Sequence, residues 1–290
     1  MPAQFKTTLR VRHYECDAYG HVNHANYLRY MEQAAFDASA AVGYDEARYR
    51  QMGTLWLIRE TDIEYLRSLV YGDSVEITTW VGDFRRVRSR RFYELRHVDS
   101  GELIAKAATD WVYLDRTNGR PVSVPDEMIA AFAPDGIEAE PRDKFPAAPP
   151  PPPGLYTMNR MVEWRDIDGA GHVNNATYLN YMEECGIRAA RHFDWDIEKM
   201  RAHGFGVVAR RNRIEYRQQA VLGEDLLIST FLSDVRRMSA TRHYIITRAT
   251  DGAVIAQAQT LWVFVNVQTN SLMRVSPEFI AAFQTHIAES

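Results

Sequence analysis

The sequence predicts an α+β protein made of two tandem copies of one domain, each a long helix wrapped by a curved antiparallel sheet. Three observations carry that expectation. The chain repeats itself at a spacing of 151 residues, so that His21 recurs as His172 and Trp111 as Trp262. Each copy has one segment with helical apolar spacing. Each then continues in alternating segments punctuated by glycine turns.

The repeat sets the domain organisation. Ile63-Glu64-Tyr65 pairs with Ile214-Glu215-Tyr216, Arg85-Arg86 with Arg236-Arg237, and Gly101 with Gly252. Over residues 14–132 the match to the second copy needs no gap, and roughly a third of the paired positions are identical. Chance does not produce a match of that length. The expected division is a first domain at 1–132, a linker at 133–157 and a second domain at 158–290. Domains of this length are ordinary. The linker carries five consecutive prolines, Pro149-Pro150-Pro151-Pro152-Pro153. Such runs extend as polyproline II at roughly 3.1 Å per residue, which predicts a semi-rigid spacer. Docking to a proline-reading module is the alternative.

Within a copy, residues 10–14 look like a short strand running into a turn at Asp17. Gly20 and Gly171 permit the tight bend. His24 or Asn175, and Asn26 or Thr177, fall where a helix cap is expected. From Tyr27 the apolar residues Tyr30, Met31, Ala34, Ala35 and Ala38 follow a helical period, and Gly43 marks the end. Four strands are expected next, over 56–67, 75–81, 90–98 and 103–113, with Asp99-Ser100-Gly101 as a hairpin turn. A short helix at 126–132 closes the copy, and Ser276-Pro277 opens its twin. A helix with one apolar face must bury it, and the concave face of the sheet is the available partner. That architecture is called a hotdog.

Composition excludes several classes. With 46% hydrophobic and 25% charged residues the chain reads as globular. A net charge of −4 argues against wholesale nucleic-acid binding. No segment approaches a membrane span and the start lacks a signal-like apolar region, so no membrane partner and a cytoplasmic location are expected. The two cysteines, Cys16 and Cys185, occupy non-equivalent positions, so no disulfide framework is expected. The nine histidines show no ligand-like pairing, and His21-x-x-His24 becomes His172-x-x-Asn175 in the repeat, so neither a metal nor a cofactor is expected.

The candidate chemistry sits in the stretch both copies share. Asp17-x-x-Gly20-His21-Val22-Asn23 runs into Tyr27-Leu28-x-Tyr30-Met31-Glu32, and Asp168-x-x-Gly171-His172-Val173-Asn174 runs into Tyr178-Leu179-x-Tyr181-Met182-Glu183. One aspartate in a turn is usually a local cap. A carboxylate with a glycine, histidine and asparagine at fixed offsets, present twice, points to a site. His21 and His172 fit a loop brace better than a general base. Glu32 and Glu183 are rival helix carboxylates. Cys16 is opposed by Ile167 in the second copy, which favours a packing role.

Tyr14-x-x-Asp17-x-x-Gly20-His21-Val22-Asn23 with Tyr27-Leu28-x-Tyr30-x-Glu32 resembles the signature of the 4-hydroxybenzoyl-CoA thioesterase-like hotdog proteins. Ile63-x-Tyr65, Gly72-Asp73 and Arg85-Arg86 extend the likeness over nearly all of each copy. The fused layout is also similar to acyl-ACP thioesterases. The resemblance implies thioester hydrolysis with Asp17 and Asp168 as catalysts, by attack on the carbonyl or by drawing a proton from water. It implies an oxyanion donor among the backbone N–H groups at the helix start, at about His24 and Asn175. Asn23 and Asn174 would orient the water or the loop. Arg85, Arg86, Arg236 and Arg237 are candidates for holding phosphates, and Tyr27 and Tyr178 for contacting substrate. It further implies an intrachain pseudo-dimer, with each site at the seam of the two helices.

Acyl-CoA is the first expected substrate and acyl carrier protein the second. A non-catalytic acyl-CoA-binding module is the alternative outside enzymes, although a mere binder needs no carboxylate beside the carbonyl. A hotdog hydratase would carry Asp-x-Asn-Pro-x-His, which neither copy shows. A homodimer of pseudo-dimers is compatible with the layout, and no residue decides it.

Overall fold

In this computed structural model, residues 3–137 and 141–289 are described; residues 138–140, inside the expected linker, lie outside them, as do the first two residues and the last. The chain forms two compact units, Met1–Lys144 and Phe145–Ser290.

The first unit runs β1 (Gln4–Arg10), α1 (His24–Ala41), α2 (Glu46–Gln51), β2 (Thr54–Tyr65), β3 (Ser74–Arg85), β4 (Arg88–His97), β5 (Leu103–Asp115) and α3 (Asp126–Phe132). Its strands lie in the order β1-β3-β4-β5-β2, with every pair antiparallel. The second unit repeats the plan with β6 (Tyr156–Met161), α4 (Asn175–His192), α5 (Ile197–Ala202), β7 (Phe205–Tyr216), β8 (Asp225–Ser233), β9 (Ser239–Arg248), β10 (Val254–Asn266) and α6 (Pro277–Ala282). Its order is β7-β10-β9-β8-β6, again antiparallel throughout. Each unit is a hotdog domain.

Burial explains the plan. Along β3 the side chains of Val75, Ile77, Thr79, Val81 and Asp83 are buried while those between are not, the period of two that a one-sided sheet requires. The buried face of α1 is Ala25, Tyr27, Leu28, Tyr30, Met31, Ala34, Ala35, Ala38 and Ser39. Small residues in its later turns let the helix approach the sheet. Ile63, Ile77 and Leu95 are fully buried, and truncating any of them to alanine should cost about 2–5 kcal/mol.

Two expectations need correction. Residues 10–14 are not a strand: β1 ends at Arg10 and His13–Glu15 is a turn of 3-10 helix. The exposed and half-buried alternation of β1 leaves too weak an apolar signal to mark it. The helix caps are Asn23 and Asn174, one residue before His24 and Asn175, because their backbone is non-helical while the next residue is already helical. The closing helix at 126–132 is found as expected.

Three of the described linker residues are tied to the unit they belong to. Arg142 reaches the buried Asp83 at 3.1 Å and Asp110 at 3.3 Å in the first unit. In the second unit, Pro146 O accepts from Gln259 at 3.1 Å and Gly154 N donates to Thr285 O at 2.8 Å. No described helix is long and apolar enough to cross a membrane.

Candidate active site

In the first unit the chain leaves the 3-10 turn and doubles back on itself. Asp17 N donates to His21 O at 2.8 Å and Gly20 N to Asp17 O at 3.0 Å. Gly20 has φ +79, and the equivalent Gly171 has φ +84, the left-handed conformation in which a side chain is strained. Asp17 Oδ1 accepts from Tyr19 N at 2.8 Å and His21 N at 3.3 Å, the Asx-turn pattern. Oδ2 accepts nothing from the described residues. Val22 N then donates to Leu69 O at 2.8 Å, tying the loop to the β2–β3 connection.

The second unit repeats this geometry. Asp168 N donates to His172 O at 3.0 Å, Gly171 N to Asp168 O at 3.0 Å and Val173 N to Ala220 O at 2.9 Å. Asp168 Oδ1 accepts from Ala170 N at 2.8 Å, and Oδ2 accepts nothing from the described residues. Both aspartates therefore hold their loop with one oxygen and present the other. Both are half-buried.

The helix starts immediately beyond. Asn23 Oδ1 accepts from Ala25 N at 2.9 Å, and Asn174 Oδ1 from Ala176 N at 3.0 Å. The cap oxygen of each asparagine is thus engaged by the helix, which ties the loop end to the first turn. His24 and Asn175 are the first helical residues, where backbone N–H groups point out of the helix toward its positive end. Their carbonyls are held as well: Tyr65 Oη donates to His24 O at 3.2 Å and Tyr216 Oη to Asn175 O at 3.1 Å. The shared Ile-x-Tyr motif therefore braces the helix start.

Tyr27 and Tyr178 are placed differently from a substrate contact. Each is 3% exposed. Tyr27 packs edge-on against Tyr65 at 5.2 Å and its hydroxyl accepts from Leu69 N at 3.3 Å. Tyr178 packs on Tyr216 at 5.5 Å. Burial pushes both phenols up, and both pin the helix to the β2–β3 or β7–β8 connection.

The arginines stand elsewhere within each unit. Arg85 and Arg86 are exposed at the tip between β3 and β4, whereas the Asp17 loop sits at the opposite end of the 12-residue β3. At about 3.3 Å per residue that separation is on the order of 35 Å. Arg85 Nε also reaches Asp83 at 3.3 Å. Arg236 and Arg237, at the equivalent tip, line a groove of about 1360 Å³ together with Arg274 and the proline run. Neither unit brings its own arginine pair to its own aspartate.

Cys16 lies half-buried next to Asp17. Burial first, and the charge of Asp17 second, push its thiol up, away from the reactive thiolate. What the sequence reading missed is Glu15 and its twin Asp166, both buried carboxylates two residues before the motif aspartates. A signal existed, since both copies carry an acid there and a tyrosine at 30 and 181.

Residues 2–132 match the family model of the acyl-ACP thioesterase N-terminal domain. Residues 162–283 match that of the thioesterase-like superfamily. The chain is a tandem of two hotdog domains, each similar to a thioesterase model. For the first domain the match is to acyl-ACP thioesterases rather than to 4-hydroxybenzoyl-CoA enzymes. The tandem hotdog is similar in sequence to the chloroplastic acyl-[acyl-carrier-protein] hydrolase FATB2 of Cuphea viscosissima, 22% identical over 191 residues, which covers 62% of this chain and 46% of that protein. The chain spans about half the length of the curated relatives it matches. In fold it is similar to the 12:0-ACP thioesterase from Umbellularia californica, with a TM-score of 0.69 at 19% identity, over 89% of this chain and 96% of that one. An acyl-ACP thioesterase from Bacteroides thetaiotaomicron gives 0.69 at 17% identity, over 89% and 97%.

Proposed function

We propose that the chain hydrolyses acyl thioesters, with acyl carrier protein as the preferred carrier and acyl-CoA second. This reverses the order expected from the signature alone. The carrier preference is supported by the match of the first domain and by the relatives above. The observation that carries the reaction is the aspartate held by Oδ1, with Oδ2 turned to no described residue, beside a capped helix start, in both units.

The chemistry follows from that arrangement. The carboxylate of Asp17 or Asp168 attacks the thioester carbon or takes a proton from a water that does. The carbonyl oxygen gains negative charge, which the first-turn N–H groups at His24 or Asn175 and the helix dipole are suited to stabilise. The thiol leaves with a proton, and one water is consumed per acid released. Removing one such donor typically lowers the rate about 10²–10³-fold.

The test is release of free thiol from acyl-ACP and acyl-CoA panels differing in chain length. Turnover with carrier-protein thioesters at a higher kcat/KM than with the matching CoA thioesters is expected. Measurable binding without turnover of any of them would replace the hydrolase with a non-catalytic acyl-thioester module.

A further inference from the structure

We propose that Glu15 and Asp166 are positioning residues that lock each motif loop to its helix start; the proposal rests on the hydrolase reading above. Each is 6% exposed. A buried carboxylate is costly unless donors surround it, so its recurrence at both sites marks a structural demand there.

Glu15 Oε2 accepts from Arg12 N at 2.7 Å and from Tyr30 Oη at 2.7 Å, and Oε1 from Arg12 Nη1 at 3.2 Å. Its backbone carbonyl accepts from Asn23 N at 2.9 Å and Asn26 Nδ2 at 2.8 Å. One residue therefore grips the turn before Asp17, the helix cap after it and the second turn of α1. Asp17 lies inside that grip. The separation between its carboxylate and the first helical N–H is set by Glu15, and a misplacement of about 1 Å can cost about 10²-fold in rate.

The second copy keeps the design two contacts short, without the tyrosine and without the Asn26 amide, whose place Thr177 takes. Asp166 Oδ2 accepts from Glu163 N at 2.8 Å and Arg160 Nη2 at 3.2 Å, and its carbonyl accepts from Asn174 N at 2.9 Å. Aspartate is one methylene shorter than glutamate. The buried Tyr181 hydroxyl has no hydrogen-bond partner among the described residues. Burial first, and the side-chain interaction with Asp166 second, push its phenol up, so the two groups are neighbours.

The experiment uses the full chain with one site silenced, Asp168→Asn to read the first site and Asp17→Asn to read the second. Glu15→Ala should lower kcat about 10–100-fold with little change in KM. Glu15→Gln, whose amide oxygen can still accept from Arg12 N–H and Tyr30, should recover most of it. Tyr30→Phe removes a single hydrogen bond and should lower kcat about 3–10-fold, which keeps the test open where Glu15→Ala fails to fold. Asp166→Glu should raise kcat at the second site. An unchanged kcat in Tyr30→Phe, an effect confined to KM, or no rescue by glutamine would overturn the proposal. Amide exchange over residues 17–23 is measured on the same proteins. A parent chain without any turnover sinks the hydrolase reading, while unaltered exchange in Tyr30→Phe sinks the brace.

Discussion

The two units share a loop and differ in how they keep charge out of water. In the first, the buried acid Asp83 is met by Arg142 and Arg85, and Arg142 also reaches Asp110. In the second, the equivalent Asp234 is exposed and Leu261 replaces Asp110. That unit instead buries two histidines. His243 stacks on Phe231 at 4.8 Å and its Nε2 lies 2.7 Å from Ser233 Oγ. His286 Nε2 lies 3.2 Å from Arg242 Nη1, so it accepts there, and Nδ1–H donates to Gly154 O at 2.8 Å. Both units bury the paired arginines Arg91 and Arg242, each on a threonine hydroxyl at 3.3 Å. What stays constant is the loop and the arginine; what varies is the ionic packing around them. Duplication preserved the site and let each core find its own polar solution.

The largest expected effect tests whether the shared loop means two working sites. Asp17→Asn and Asp168→Asn should each leave partial thioester turnover, and the double change should remove it, a loss on the order of 10³-fold or more. If either single change removes all turnover, the comparison breaks: one loop is then a structural copy. Tyr181 lacks the hydrogen bond that Tyr30 makes, so Asp17→Asn should cost more than Asp168→Asn.

Acid separates the two cores next. Burial lowers His243 and His286 to about 4 each, and Arg242 adds to the shift of His286 while Asp234 opposes that of His243. The unfolded chain takes up these protons near its ordinary value of 6.5. The stability they contribute is therefore complete above that pH and is lost as pH falls from there toward 4, by at most about 3 kcal/mol per group. The second unit should melt first at pH 5, followed by amide exchange or by fluorescence of Trp195. His243→Phe, the residue the first unit has at Phe92, should flatten the dependence. An equal acid loss in both units would remove this distinction.

How much of this was legible in the sequence can be argued residue by residue. The repeat transferred the four long strands of one unit onto the other because register and turns are set by apolar alternation and glycines, which the 151-residue spacing preserves, whereas β1 and β6 lie outside the gapless match. The aspartates, the glycine bend and the asparagines were visible for the same reason. Glu15 was legible only as an acid recurring at 166, because it reads as a surface residue until its donors, Arg12 and Tyr30, are brought to it by the fold. Tyr27 and Tyr30 look alike in sequence and diverge only through what their hydroxyls meet. Arg85 and Arg86 were named by resemblance, and the length of β3 sets them at the end away from the aspartate of their own unit.

The ion cluster of the first unit gives a mid-sized effect. Arg142→Ala leaves Asp83, with 0% side-chain exposure, on a single 3.3 Å contact from Arg85. Breaking a buried pair typically costs about 3–5 kcal/mol, and the remaining arginine should hold the loss to about 3 kcal/mol. The first unit alone should melt earlier, seen as a split in a calorimetric scan at pH 7. A uniform shift of both units would show that the cluster does not belong to the first core.

The smallest effect asks whether the two loops are energetically the same object. Gly20 and Gly171 share a left-handed backbone, and a methyl group added at either would meet nothing within 4 Å. Substitution by alanine therefore carries only the conformational strain, about 1 kcal/mol at each position. Gly20→Ala and Gly171→Ala should destabilise their own units equally in urea titrations, whatever the surrounding cores do. Asp17 Oδ1 holds two N–H groups where Asp168 Oδ1 holds one, so the first loop has the stronger reason to resist the change. If Gly20→Ala costs measurably more, the loop hydrogen bonds rather than the glycine torsion set its shape, and the two sites are alike in sequence but not in stiffness.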